Sequence, residues 1–200
     1  MIEPDDRLAA PLIVRTDAIE PVPWRNGGGV TRELLTWPQA QDWIVRVSVA
    51  DITSAGPFSA FPGVERWFAV LAGGAVRLET AGAGPQRLDA ARTSLYRFSG
   101  DAPTHCTMLG AATRDCNIML QRARGRLDQR PLSQCPELAT RAAAVGLFAA
   151  EAVNVAQAPQ RSWQLPALTL AWWTNPRREP LLLRIVGPAR RGWWIEADAC

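Results

Sequence analysis

Lysine is missing from this chain. All 22 basic residues are arginines, set against 19 acids and one histidine, His105. A Walker-type phosphate loop needs a lysine, so that chemistry has no candidate here. The arginines are scattered, and the densest group is Arg122, Arg124, Arg126 and Arg130. Such a spread suits solvated or ion-paired side chains and not a nucleic-acid patch, despite a net charge of +3. No apolar run reaches the 18 or more residues of a membrane-spanning helix. The opening MIEPDDRLAAPLIV carries acids before a short apolar run, where a secretory leader carries a basic start. A cytoplasmic protein is expected. Cys106, Cys116, Cys135 and Cys200 form no C-x-x-C pair, which removes zinc-knuckle and thioredoxin readings. Cys106 and Cys116 can face each other across two strands, but reduced thiols are expected in that compartment. One histidine is too few for a multi-histidine metal site, and no G-x-S-x-G elbow accompanies it.

What the chain does have is punctuation: 16 prolines and 15 glycines divide short apolar runs. That spacing predicts an all-β sandwich or barrel. VTRELLTW (30–37), DWIVRVSVAD (42–51), SLYRFS (94–99), THCTML (104–109) and DCNIMLQR (115–122) read as strands. RWFAVL (66–71) and AVRLET (75–80) flank Ala72-Gly73-Gly74, which predicts a hairpin. LFAAEAVNVA, SWQLPALTLAWW, PLLLRIVG and GWWIEA continue the strands, and PELATRAAAVGLF (136–148) is the one helix candidate.

The strand at 43–49 is informative residue by residue. Alternation puts Trp43, Val45, Val47 and Val49 on one face and Ile44, Arg46 and Ser48 on the other. If the second face lines a barrel, Arg46 needs a partner there, and Glu33, Asp51 or a ligand carboxylate can supply it. Upstream, WRNGGGVTRE (24–33) runs three glycines into a strand and not into a helix. A turn with positive φ or close backbone approach fits better than a phosphate cradle, and it would gather Trp24, Asn26 and Thr31 around one point.

The stretch WRNGGGVTRE resembles the opening motif of the HutD/Ves family. DWIVRVSVADITSAGPFSAFPGVER (42–66), LYRFSGDAPTHCTMLGAATRDCNIML (95–120) and RARGR (122–126) agree with it. The resemblance implies a cupin-type fold, an RmlC-like jelly roll, in a bicupin arrangement: one domain over 1–200, with an N-terminal half of about 10–126 and a C-terminal half of about 127–200. It also implies a link to histidine utilisation through binding of N-formylglutamate, with no established reaction. Many cupins hold a metal through two or three histidines and a glutamate, and this chain has only His105.

The remaining chemistry is recognition of a small carboxylate. Arg46 and Arg66 carry guanidinium forks. Asn26, Thr31, Ser48, Ser59 and Asn117 offer amides and hydroxyls, Glu33 a carboxylate, and Trp24 and Phe58, with Phe61, apolar walls. A metal-independent, cofactor-free binding protein is expected, with no nucleic-acid or membrane partner. The alternative is a cupin-type isomerase or hydrolase using Glu33 or Asp51 with His105. A third reading makes Trp172-Trp173 and Trp193-Trp194 a homodimer face.

Overall fold

A computed structural model describes residues 10–188 and 190–200. Most of the acidic opening, residues 1–9, lies outside the described residues. The strands are β1 (Leu12–Arg15), β2 (Val22–Pro23), β3 (Gly29–Trp37), β4 (Val45–Ile52), β5 (Gly56–Pro57), β6 (Val64–Gly73), β7 (Val76–Thr80), β8 (Gln86–Leu88), β9 (Tyr96–Ser99) and β10 (Thr104–Met108). They continue as β11 (Thr113–Gln121), β12 (Gly125–Pro131), β13 (Glu137–Thr140), β14 (Ala144–Ala149), β15 (Val153–Gln157), β16 (Arg161–Leu165), β17 (Thr169–Thr174), β18 (Leu181–Val186) and β19 (Gly192–Ala199). The only helical element among the described residues is a 3-10 turn, Thr16–Ala18. No helix there is long and apolar enough to cross a membrane.

The chain divides into two units. The first comprises residues 16–126 with Cys200, and the second residues 127–199 with the N-terminal strand β1. In the first unit a six-stranded sheet, β2-β3-β4-β11-β6-β9, and a four-stranded sheet, β5-β10-β7-β8, enclose a core. Phe68, Val70 and Phe98 from one sheet meet Val76, Leu78, Leu88 and Cys106 from the other. In the second unit the sheets are β1-β17-β14-β19-β12 and β13-β18-β15-β16. Its core holds Leu147, Val155, Leu183, Trp173 and Trp194.

Three local readings are corrected by this architecture. The helix expected over 136–148 is two strands, β13 and β14. Every residue of AVGLFA in β14 is buried, and the strand is central, paired with both β17 and β19. A strand covered on both faces loses its alternation, so alanine-rich composition no longer separates it from a helix. The hairpin expected at 72–74 is not one, because β6 and β7 lie in different sheets. Gly73, with φ +92°, instead turns the chain tightly past Ala112, whose carbonyl oxygen would lie 2.1 Å from any added Cβ. The paired tryptophans do not form an exposed face: Trp172, Trp173, Trp193 and Trp194 are all buried. The Trp173 Nε1–H donates to Gln157 and the Trp194 Nε1–H to the Cys135 carbonyl, as buried indoles require.

Cys106 and Cys116 sit on strands of different sheets, and neither forms a disulfide. Three of the four clustered arginines are engaged with acids: Arg122 with Asp101, Arg124 with Asp42, and Arg130 with Asp128 and Glu196.

Candidate functional site

The six-stranded sheet of the first unit has two chemically distinct faces, and strand register decides which residue is on which. One face carries Val45, Val47, Val49, Cys116, Ile118, Trp67 and Ala69 in cross-strand rows. The other carries a row of Glu33, Ser48, Asn117 and Phe68. The next row along it is Thr36, Arg46, Met119 and Arg66. A bulge between Glu33 and Leu35 inserts Leu34, so Glu33 stays on the polar face while Leu35 joins Val47 on the apolar one.

This polar face opens into a cavity of about 710 Å³. All eleven residues singled out from the sequence for recognition line it, including Ser59 and Phe61 on the loop after β5. Met119, Ile52 and the exposed Arg25 line it as well. Arg25 lies inside the triglycine motif, so the motif itself was the signal that could have found it.

The glycines shape the mouth. Gly27 has φ +70°, and a Cβ on Gly29 would stand 2.4 Å from the Asp51 carbonyl oxygen and 3.2 Å from the Trp24 ring. The Gly28 N–H donates to Asn26 Oδ1 at 3.0 Å, and the Trp24 Nε1–H donates to Thr31 Oγ1 at 2.7 Å. Trp24 is thereby held edge-on to Phe58, with ring centroids 6.5 Å apart. The turn needs one positive φ and one close approach, and not positive φ throughout.

Arg66 is the dominant feature. It is 6% exposed, and its guanidinium carbon lies 5.0, 5.5 and 4.9 Å from the ring centroids of Phe58, Phe61 and Phe98. Its Nη2 donates to Asn117 Oδ1 at 2.9 Å, while its buried Nε has no hydrogen-bond acceptor among the described residues. No carboxylate pairs with it there. Burial first, and the Arg46 charge second, push its pKa down to about 10, which leaves it charged at neutral pH. The aromatic faces give a cation some attraction but not a counter-charge.

Arg46 is different. Its Nε lies 2.7 Å from Glu33 Oε2, an ion pair by distance. The N–H does not point at that oxygen well enough to form a hydrogen bond. Of the partners open from the sequence, Glu33 is the one observed. Asp51 is taken by Arg114 (2.6 Å) and Arg32 (2.7 Å). The Arg114 hydrogen bond, with a second from Arg32, holds the Asp51 carboxyl below its ordinary value against the opposing effect of burial. Asp51 does not line the cavity, nor does His105, which is exposed on β10. The acid–base pairing of Asp51 with His105 is therefore not assembled.

The cavity carries three arginines and one glutamate, a surplus of two positive charges. That donor set does not fit a divalent cation: the single carboxylate is already paired with Arg46, and cationic side chains repel a metal. Among the described residues no cluster of three histidine, cysteine, aspartate or glutamate side chains could hold one.

The fold and this pocket define an all-β protein of two cupin-type halves, one with an arginine-lined cavity. Among solved structures, HutD from Pseudomonas fluorescens superimposes with a TM-score of 0.82 at 24% identity, covering 96% of this chain and all of that one. A conserved protein of unknown function from Pseudomonas aeruginosa gives 0.80 at 31% identity over 95% of this chain and all of that one. An oxalate decarboxylase from Bacillus subtilis gives 0.61 at 7% identity over 98% of this chain and 79% of its own, a likeness of fold alone. The chain belongs to the HutD family, whose family model matches residues 16–189. Protein Ves of Cronobacter sakazakii is 32% identical over 82% of this chain and 87% of its own length. Protein Ves of Citrobacter koseri is 43% identical, but the match spans only 50% of this chain and 53% of that protein. An uncharacterized protein in the hutC 3' region of Pseudomonas putida is 33% identical over 69% of this chain and 73% of its own.

Proposed function

We propose that the cavity of the first unit binds a small carboxylate, that the ligand is a dicarboxylate of the N-formylglutamate type, and that the chain works as a cytoplasmic binding protein regulating histidine utilisation. The observation that carries this reading is Arg66: a buried, charged guanidinium at the cavity that, among the described residues, pairs with no acid and keeps one N–H without an acceptor. A charge in that position is expensive unless an anion joins it. Asn117 already orients one arm of the fork, leaving the other donors for a carboxylate, and Ser48 stands beside Asn117 in the same cross-strand row. The second carboxylate has Arg25 at the mouth and the Arg46–Glu33 pair to meet. The surplus of two positive charges matches two negative ones. The hutC-region relative supports the pathway. The catalytic alternative gains nothing from the geometry, since His105 and Asp51 stand outside the lining.

Titration calorimetry of the wild type and of Arg66→Met with N-formylglutamate, glutarate and formate tests this. Saturable binding by the wild type is expected, without consumption of the ligand by mass spectrometry. In Arg66→Met the dissociation constant should rise at least 100-fold, since two charge-assisted hydrogen bonds of about 1.5–3 kcal/mol each are removed. Equal affinity in the two proteins, or no binding of any small carboxylate by the wild type, overturns the reading.

A further inference from the structure

The loop that carries Phe58, Ser59 and Phe61 runs from β5 into β6, and Arg66 follows two residues after β6 begins. The end of this loop is gripped from outside the cavity. The Phe61 N–H donates to the Gly100 carbonyl at 2.9 Å, and the Gly100 N–H donates to the Val64 carbonyl at 2.8 Å. The Gly63 N–H donates to Asp101 Oδ1 at 2.8 Å. From the other side, the Arg122 N–H donates to the Gly63 carbonyl at 2.9 Å, and Arg122 Nη1 donates to the Val64 carbonyl at 3.0 Å. Asp101 Oδ2 accepts from Ser99 Oγ at 2.9 Å and makes a close contact with Arg122 Nη2. The backbone of residues 61–64 is thus hydrogen-bonded to Gly100, Asp101 and Arg122, none of which lines the cavity.

We propose that Asp101 and Arg122 are positioning residues: a clasp on residues 61–64 that fixes the Phe61 ring and the Arg66 guanidinium at the cavity without touching a ligand. Its contribution to affinity rests on the binding role assigned to Arg66 above. The pair is half-exposed, with side-chain exposures of 39% and 46%. An ion pair so exposed contributes little to global stability, so stability alone does not account for its geometry. What the geometry does account for is placement. Five of the bonds go to the backbone of residues 61–64, two of them to Gly63 itself, whose φ is +75°. Residues with few local bonds open independently of the rest of a fold, and the clasp removes that freedom from one cavity wall. It also gives the F-x-G-D stretch at 98–101 and the basic stretch at 122–126 a shared role that neither shows alone.

Amide hydrogen exchange of Asp101→Ala, Arg122→Ala and Asp101→Asn, with the guanidinium Nε–H resonance of Arg66 assigned by its loss in Arg66→Met, tests the clasp without any ligand. In both alanine variants the amides of Phe61, Gly63 and Val64 should exchange at least tenfold faster, and the Arg66 Nε–H signal should broaden. Amides of β4 and β11 should be unchanged. Asp101→Asn keeps an acceptor for the Gly63 N–H and should retain most of the protection. The dissociation constant for N-formylglutamate should rise about tenfold in the alanine variants while the ligand-free melting temperature moves little. Unchanged exchange at 61–64, or faster exchange with an unaltered Arg66 signal, overturns the proposal. So does a binding-competent wild type whose affinity is the same in Asp101→Ala. If the wild type binds no carboxylate, the reading of function fails on its own, and the exchange and Arg66 signals decide the clasp.

Discussion

Replacing Asp115 by asparagine should convert a pH-dependent stability into a flatter one. Asp115 lies on β11 between Ala50 and Val70 and is fully buried. Thr113 Oγ1 donates to its Oδ2 at 2.9 Å, while Oδ1 has no partner among the described residues. Burial pushes its pKa up to about 8, the Thr113 hydrogen bond opposes the rise, and the Asp51 charge adds to it. The ordinary value of the carboxyl, taken for the unfolded chain, is 3.8. Below about pH 4 both states hold the proton, and no ionisation cost falls on the folded state. Between about 4 and 8 the folded state keeps a proton that the unfolded state releases, so stability falls as pH rises, by up to about 1.4 kcal/mol per pH unit from this group. Above about 8 both states are ionised and the full cost is present. Asparagine cannot ionise. Its stability relative to the wild type should therefore increase by roughly 4 kcal/mol between pH 5 and pH 8. In a chain of this size that amounts to a relative rise on the order of 10 °C in melting temperature. Urea unfolding of both proteins at pH 5, 6.5 and 8 measures it. A difference between variant and wild type that is constant across the three pH values refutes the assignment of a protonated Asp115.

Arg46→Ala leaves Glu33 without its cation, but the pair is partly exposed, so the ligand-free protein should lose no more than about 1 kcal/mol. Its response to N-formylglutamate should survive far better than that of Arg66→Met, and calorimetry showing the reverse order would place the primary anchor at Arg46. Thiol labelling should modify the exposed Cys200 long before Cys106, whose thiol burial pushes up to about 12, with the Asp115 charge adding to the rise. Cys106 reacting first at pH 8, read by mass spectrometry of peptides, would mean that the core around it opens.

The legible part of the site was the part governed by period and backbone. Alternation in β4 put Arg46 and Ser48 on one face, and the register with β11 and β6 carried the same face to Asn117 and Arg66. The triglycine turn was readable because three glycines before a strand admit few other uses. What sequence could not supply was pairing. Nothing in the pattern distinguishes Arg46, which finds Glu33, from Arg66, which finds no acid among the described residues, because that difference depends on which strands are neighbours and where a bulge falls. The hairpin at 72–74 failed for the same reason: a turn sequence specifies that the chain reverses, not which sheet receives the next strand. Nor does any local signal announce that β1 pairs with β17, more than 150 residues away.

The two units make the same kind of fold, and the side chains in their interiors differ. In the second unit the interior is filled by Trp173, Trp194, Leu147, Val155 and Leu183, and its buried Gln157 is occupied by an indole N–H. In the first unit an apolar cluster that includes Val70, Val76 and Leu78 reaches the cavity through Ile52, Trp24 and Phe58, and beside these the cavity keeps a charged guanidinium, an amide and a hydroxyl. An interior of that kind is less stable than a filled one by the unpaired charge and the missing contacts. The proposed carboxylate site in the first unit accords with this contrast, because no acid among the described residues pairs with Arg66.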